Sequence, residues 1–106
     1  MKYKYINIKI NDTDKYQTKR FVATLWSADK NKIKTIPFGA REGQTYIDHG
    51  DKIKRFNYIN RHIVNENWDK INAGSLSRYI LWENENIIQN INFYLRKFNL
   101  IYLPNS

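Results

Sequence analysis

Arg20-Phe21-Val22-Ala23-Thr24-Leu25-Trp26, Ser27-Ala28-Asp29-Lys30-Asn31 and Lys32-Ile33-Lys34-Thr35-Ile36-Pro37-Phe38-Gly39 form one continuous stretch. The first piece is rich in β-branched and aromatic residues, the second in turn formers, and the third alternates between apolar and polar positions. That succession reads as strand, hairpin loop, strand. Pro37 cannot donate a ladder hydrogen bond, so the second of these strands is expected at a sheet edge or to end there. Upstream, Tyr3, Tyr5, Ile6, Ile8 and Ile10 make another mostly alternating run. Asn11-Asp12-Thr13-Asp14 follows it with turn chemistry, since short side chains can bond their own backbone. A three-stranded antiparallel meander is therefore expected, its strand lysines (Lys2, Lys4, Lys9, Lys32, Lys34) standing together on a solvent face.

From Asp51 the period changes from two to about 3.6. Ile53, Phe56, Ile59 or Asn60, and Ile63 fall at helical spacing, with Asp48 or Asp51 as N-cap. Lys54, Tyr58 and Arg61 make the opposite stripe. Asn65 to Gly74 reads as irregular, pinned by Trp68. Ser75 is expected to cap a short helix through Trp82, and Asn84 a last helix with Ile87, Ile88, Ile91, Tyr94, Leu95 and Phe98 on one face. Leu100 to Ser106 is a tail that docks through Ile101 and Tyr102. The expected fold class is α+β: a three-stranded antiparallel N-terminal sheet followed by about three helices. All 106 residues belong to one domain, with a basic β-rich part (1–41), a helical part (42–100) and a tail (101–106).

Composition supports a folded chain, because 42% hydrophobic and 15% aromatic residues are far from the profile of disorder. With no Cys, disulfides and thiolate metal sites are excluded. No apolar run approaches the roughly 18–20 residues of a membrane span. Lys9 and Asn11 interrupt any leader-like segment, so an intracellular protein in a reducing compartment, without membrane contact, is expected.

The net charge is +8, but Ile, Asn and Lys together supply 41 of 106 residues, a bias toward A/T-rich codons that raises Lys regardless of function. The distribution carries more information. Residues 1–41 hold ten basic and three acidic side chains, and residues 42–106 hold eight and seven. A one-sided field of this kind steers encounter with phosphates. Lys2, Lys4, Lys9, Lys32, Lys34 and Arg41, extended by Lys54, Arg55, Arg61 and Arg78, form the candidate nucleic-acid-binding set. Lys outnumbers Arg 12 to 6, which favours point-charge phosphate contact over bidentate base readout. A sequence-tolerant binder, of double-stranded DNA foremost, is the first expectation. Oligomeric state is open.

The sequence supports two other function classes. A structural or adaptor protein would set its basic face against an acidic protein surface, and would need an exposed apolar patch or a symmetric interface. A metal-dependent nuclease would use His62 and Glu66, at i and i+4, with Asp48 and His49 upstream. No complete metal-nuclease signature, Gly-rich phosphate loop or nucleophile elbow is present. A non-enzyme without cofactor is expected. Arg78 and Trp82, also at i and i+4, can bring a guanidinium over an indole. Phe38-Gly39-Ala40-Arg41-Glu42-Gly43 reads as a turn.

Phe38-Gly39, Tyr46, Asp48-His49, Arg55, Tyr58, Arg61-His62, Asn65-Glu66 and Trp68 form a spaced series, continued by Ala73-Gly74, Ser77-Arg78 and Leu81-Trp82. Over residues 38–100 it resembles a family of small, basic, functionally uncharacterised proteins of nucleocytoplasmic large DNA viruses and tailed phages. The resemblance implies a role around viral DNA or in the virion, with a viral structural protein as a further partner.

Overall fold

The computed structural model describes residues 2–12 and 15–104. Thr13 and Asp14 of the expected first turn, and the last two residues of the tail, lie outside them. Strands β1 (Tyr5–Ile10), β2 (Lys19–Trp26) and β3 (Lys32–Ala40) form the expected antiparallel meander. Helices α1 (Tyr46–His49), α2 (Lys52–His62) and α3 (Ala73–Leu76) follow. A π-helical turn, Ser77–Leu81, then leads to α4 (Ile87–Phe98) and to β4 (Ile101–Tyr102). β4 lies parallel to β1, so the sheet is mixed, in the order β3-β2-β1-β4, and β3 with its Pro37 is an edge. The fold is α+β.

Cross-strand partners share a face of the sheet, so the register assigns the faces. Ile6 opposes Leu25, Ala23 opposes Ile36 and Phe21 opposes Phe38. These residues are buried against Leu76, Ile80, Leu81, Tyr94 and Leu100 from the helical half. A bulge between Leu25 and Trp26 then separates the lysines: Lys34 pairs with Leu25 and Lys32 with Trp26. Lys32 and Lys9, opposite Val22, thus stand on the open face, while Lys34 is at the margin of the helix-covered face. Lys2 and Lys4 fall in the alternation of Ile6. The expectation of one lysine-rich face is corrected, because one extra residue in a strand reverses every side chain beyond it.

The first long helix is also turned relative to expectation. Asp51 caps α2, accepting from the backbone N–H groups of Ile53 and Lys54. The side buried against the molecule is that of Tyr58, with Arg55, Ile59 and His62 half-buried beside it. Ile53, Phe56 and Ile63 point outward. An apolar spacing of i, i+3 is a poor guide here because Tyr58 is matched by the flat face of Trp82, and Ile59 alone of the spaced apolar series packs against the core.

Caps are displaced by a few residues. Asn72, not Ser75, caps α3, and Ser75 closes the box by accepting from the Asn72 N–H. Asn86, not Asn84, caps α4. Tyr94 is fully buried on the inner face of α4, whereas Ile88 is exposed. Asn99 takes the left-handed conformation (φ 55°) that ends α4, and Leu100 N–H returns to the Leu95 carbonyl. The reversal delivers Ile101 to the backbone of Lys4.

Candidate functional site

A cleft of about 410 Å³ opens between the end of β3, α2 and the α3–π-turn segment. Its floor is set by close backbone approach. Gly39 has φ +76°, a conformation that strains any residue with a Cβ, and a Cβ there would come within 2.9 Å of Leu81 Cδ1. The loop beyond is held by α1. Thr45 donates both its N–H (2.7 Å) and its hydroxyl (2.9 Å) to Asp48. Arg20 reaches across from β2 and grips the same carboxylate with two bonds of 2.6 and 2.7 Å. The Arg20 guanidinium holds the Asp48 carboxyl well below the usual carboxylate range, with Thr45 adding to the effect against the cost of burial.

One wall of the cleft is a stack of rings. Tyr58 lies on Trp82 with centroids 4.2 Å apart and planes 5° from parallel, and His62 lies on the other side of Tyr58, also at 4.2 Å. Burial pushes the Tyr58 hydroxyl above the usual phenol range, so it stays neutral. His49 meets Trp82 edge-on at 5.5 Å, and its Nδ1 accepts the Asp51 N–H, which places its proton on Nε2.

Glu66 organises the irregular segment. One carboxylate oxygen meets His62 Nδ1 at 2.7 Å, and the other accepts the Trp68 indole N–H at 2.7 Å. A Cβ on Gly74 would sit 2.9 Å from that second oxygen. His62 lines the cleft, and the Glu66 carboxylate at its Nδ1 fixes the orientation of the ring.

The structure divides the sequence-predicted cations into two classes. Arg55 donates through Nε to the Trp82 carbonyl (2.7 Å) and reaches Glu83. Arg78 pairs with the same Glu83 at 2.7 Å, and its side chain is only 12% exposed. Its guanidinium lies over Trp68 and Tyr79, not over Trp82 as its spacing suggested. Both arginines are building material. Arg41 is tied to the Asn11 carbonyl at 3.0 Å. Lys2 lies beside a separate depression with Asp69 and Lys70. Lys54 and Arg61 are exposed on α2. Arg61 lines the cleft, and a second depression shares Gln44, Arg61 and Trp82 with it and extends to Lys54 and His49.

Sequence reasoning missed Lys19. It sits on the cleft rim, brought there by the pairing of the first residue of β2 with Ala40. The available signal was the Lys19-Arg20 pair at the start of a strand whose partner ends beside the glycine loop.

The four weak metal-ligand candidates do not form one group. His62 and Glu66 meet, but Asp48 is held by Arg20, and His49 packs against Trp82. Among the described residues no three His, Asp or Glu side chains come together to hold a metal ion. No helix among them is long and apolar enough to cross a membrane.

A family model described as a family of unknown function (DUF5754) matches residues 13–62. The chain is similar to that family from the start of β2 through α2, the segment that supplies Lys19, the glycine loop and the Tyr58–His62 wall. No curated protein and no solved structure matches the chain.

Proposed function

We propose that this protein binds nucleic acid with little sequence preference, through the cations around the cleft and not through the face of the sheet. The observation that carries the reading is the division of labour among the basic residues. Arg20, Arg55 and Arg78 are each engaged by a carboxylate, whereas Lys19, Lys54 and Arg61 surround the aromatic stack without such a partner among the described residues. Exposed cations in a row can replace the counterions of a phosphate backbone, and that exchange supplies most sequence-independent affinity. Duplex DNA is the foremost ligand, since lysine heads bind phosphate without reading bases. The setting implied by the sequence resemblance is a viral or phage genome, in the infected cell or the virion.

The test is fluorescence anisotropy with a labelled duplex of roughly 25 base pairs at several salt concentrations, alongside single-stranded DNA, RNA and heparin. Three phosphate contacts predict a slope of log K against log salt near −3. Lys19→Ala and Arg61→Ala should each flatten it by about 1, while Lys2→Ala leaves it unchanged. A slope flatter than about −1 in the unaltered protein, or equal affinity for heparin and duplex, overturns the proposal.

A further inference from the structure

Exposed large apolar side chains are ordinary when scattered, and informative when they share one face. Of the seven exposed among the described residues, four belong to α2 and its C-terminal end: Ile53 (74% exposed), Phe56 (65%), Ile63 (54%) and Val64 (76%). At 100° per residue Ile53, Phe56 and the C-cap Ile63 fall within about a quarter of a turn and run roughly 15 Å along the axis, and Val64 follows them in the turn. Asn60 lies in the middle of this stripe and is exposed. Lys54 and Arg61 border one side. Lys52 borders the other, near the N-terminal end, where Glu85 shares a shallow depression with it. From Lys52 to His62 the helix contains no acidic residue.

We propose that this outward face of α2 docks a partner protein that presents an apolar helix or groove edged by carboxylates on the Lys54–Arg61 side. The stripe has the period and side-chain types by which one amphipathic helix is recognised by another apolar surface. Its border is cationic, so an acidic edge completes it. A second copy of this chain fits poorly. Antiparallel pairing would set the Lys54–Arg61 border against itself, and parallel pairing would set it against Lys52. A bilayer also fits poorly, because Asn60 would enter hydrocarbon with its amide unpaired, whereas a protein interface can hydrogen-bond it. This inference is independent of the nucleic-acid reading, although Lys54 and Arg61 serve both.

The experiment is selection of a displayed library of amphipathic helical peptides, randomised at the positions flanking the apolar stripe, against the whole protein. Binders are then counter-selected on the Phe56→Ser and Ile63→Ser variants, whose side chains are exposed and whose folding is checked by thermal melting. The expected peptides carry Asp or Glu on the flank that meets Lys54 and Arg61. They should bind each apolar variant at least tenfold more weakly, and Arg61→Glu should disfavour them further. Duplex binding by Phe56→Ser should be unchanged, so failure of the DNA reading leaves this one standing and the converse also holds. Selected peptides with basic or neutral flanks, or no binders that distinguish Phe56→Ser, overturn the proposal. So does Phe56-dependent dimerisation in sedimentation, or Phe56-dependent co-sedimentation with phosphatidylserine vesicles, which would assign the face to a second copy or to lipid.

Discussion

Tyr58 and Trp82 lie flat against each other, 4.2 Å apart and 5° from parallel, and join a helix to the end of the π-helical turn 24 residues further along. Both are buried, at 8% exposure each. Truncating a buried aromatic costs about 3–5 kcal/mol, from lost transfer energy and the cavity left behind. Tyr58→Ala should therefore destabilise the protein by that amount in urea denaturation followed by tryptophan fluorescence. Tyr58→Phe keeps the ring and should cost less than about 1 kcal/mol. Equal effects of the two would show that the stack contributes nothing.

Asn90 is almost fully buried and donates its side-chain N–H groups to the carbonyls of Ile80 and Asn84, both at 2.8 Å. Those carbonyls belong to the π-helical turn and the loop after it, where regular helical partners are missing. Asn90→Ala should lower stability by about 1–3 kcal/mol, the cost of leaving buried carbonyls unpaired. Calorimetric melting measures it, and an unchanged midpoint would mean that water or a shifted backbone takes the place of the amide.

Acid should loosen α1 before the rest. The Asp48 carboxyl is depressed chiefly by its bonds to Arg20. A group lowered in the folded state adds stability that is fully present above its unfolded value near 3.9, and loses it as pH falls toward the folded value. Asp48→Asn should be less stable than the unaltered protein at pH 7, with the gap closing progressively below about pH 4. Melting midpoints from pH 2 to 7 test this, and a gap independent of pH would place the effect outside titration.

The Tyr102 hydroxyl performs a strand's work at the edge of β1. It accepts the Ile8 N–H at 3.2 Å and donates to the Ile8 carbonyl at 3.0 Å, just past the point where β4 ends. Tyr102→Phe should cost about 1 kcal/mol and speed amide hydrogen exchange at Ile8, leaving that of Ala23 in the centre of β2 unchanged. Unaltered exchange at Ile8 would rule out the edge role.

The meander, its hairpin loop and the edge position of β3 were legible because alternation and Pro37 act locally. The faces of the lysines were not, since the bulge beside Leu25 leaves no mark in composition. Tyr58 shows a second limit: a hydrophobicity pattern cannot tell that a ring will be matched by Trp82, and so it points the wrong face of α2 at the core. β4 has only two residues and pairs with a segment almost a hundred positions away, too short for any periodicity. At the site, Lys54, Arg61, His62 and Glu66 were legible as residues able to carry charge or protons. Arg55 and Arg78 carried the same signal but are consumed by Glu83, a contact that depends on folding. The role of Lys19 is not legible in the sequence because its place follows from pairing with Ala40.

The parallel pairing of β1 with β4 also carries an expectation about the order of folding. The three-stranded unit closes loops of hairpin size, whereas the Lys4–Ile101 contact closes a loop of about a hundred residues, so loop closure favours the meander first. On that expectation the two margins of a single strand pair at different moments of assembly. During that interval β1 offers an open template to any passing chain, so the concentration at which refolding begins to fail reports how quickly its last neighbour arrives.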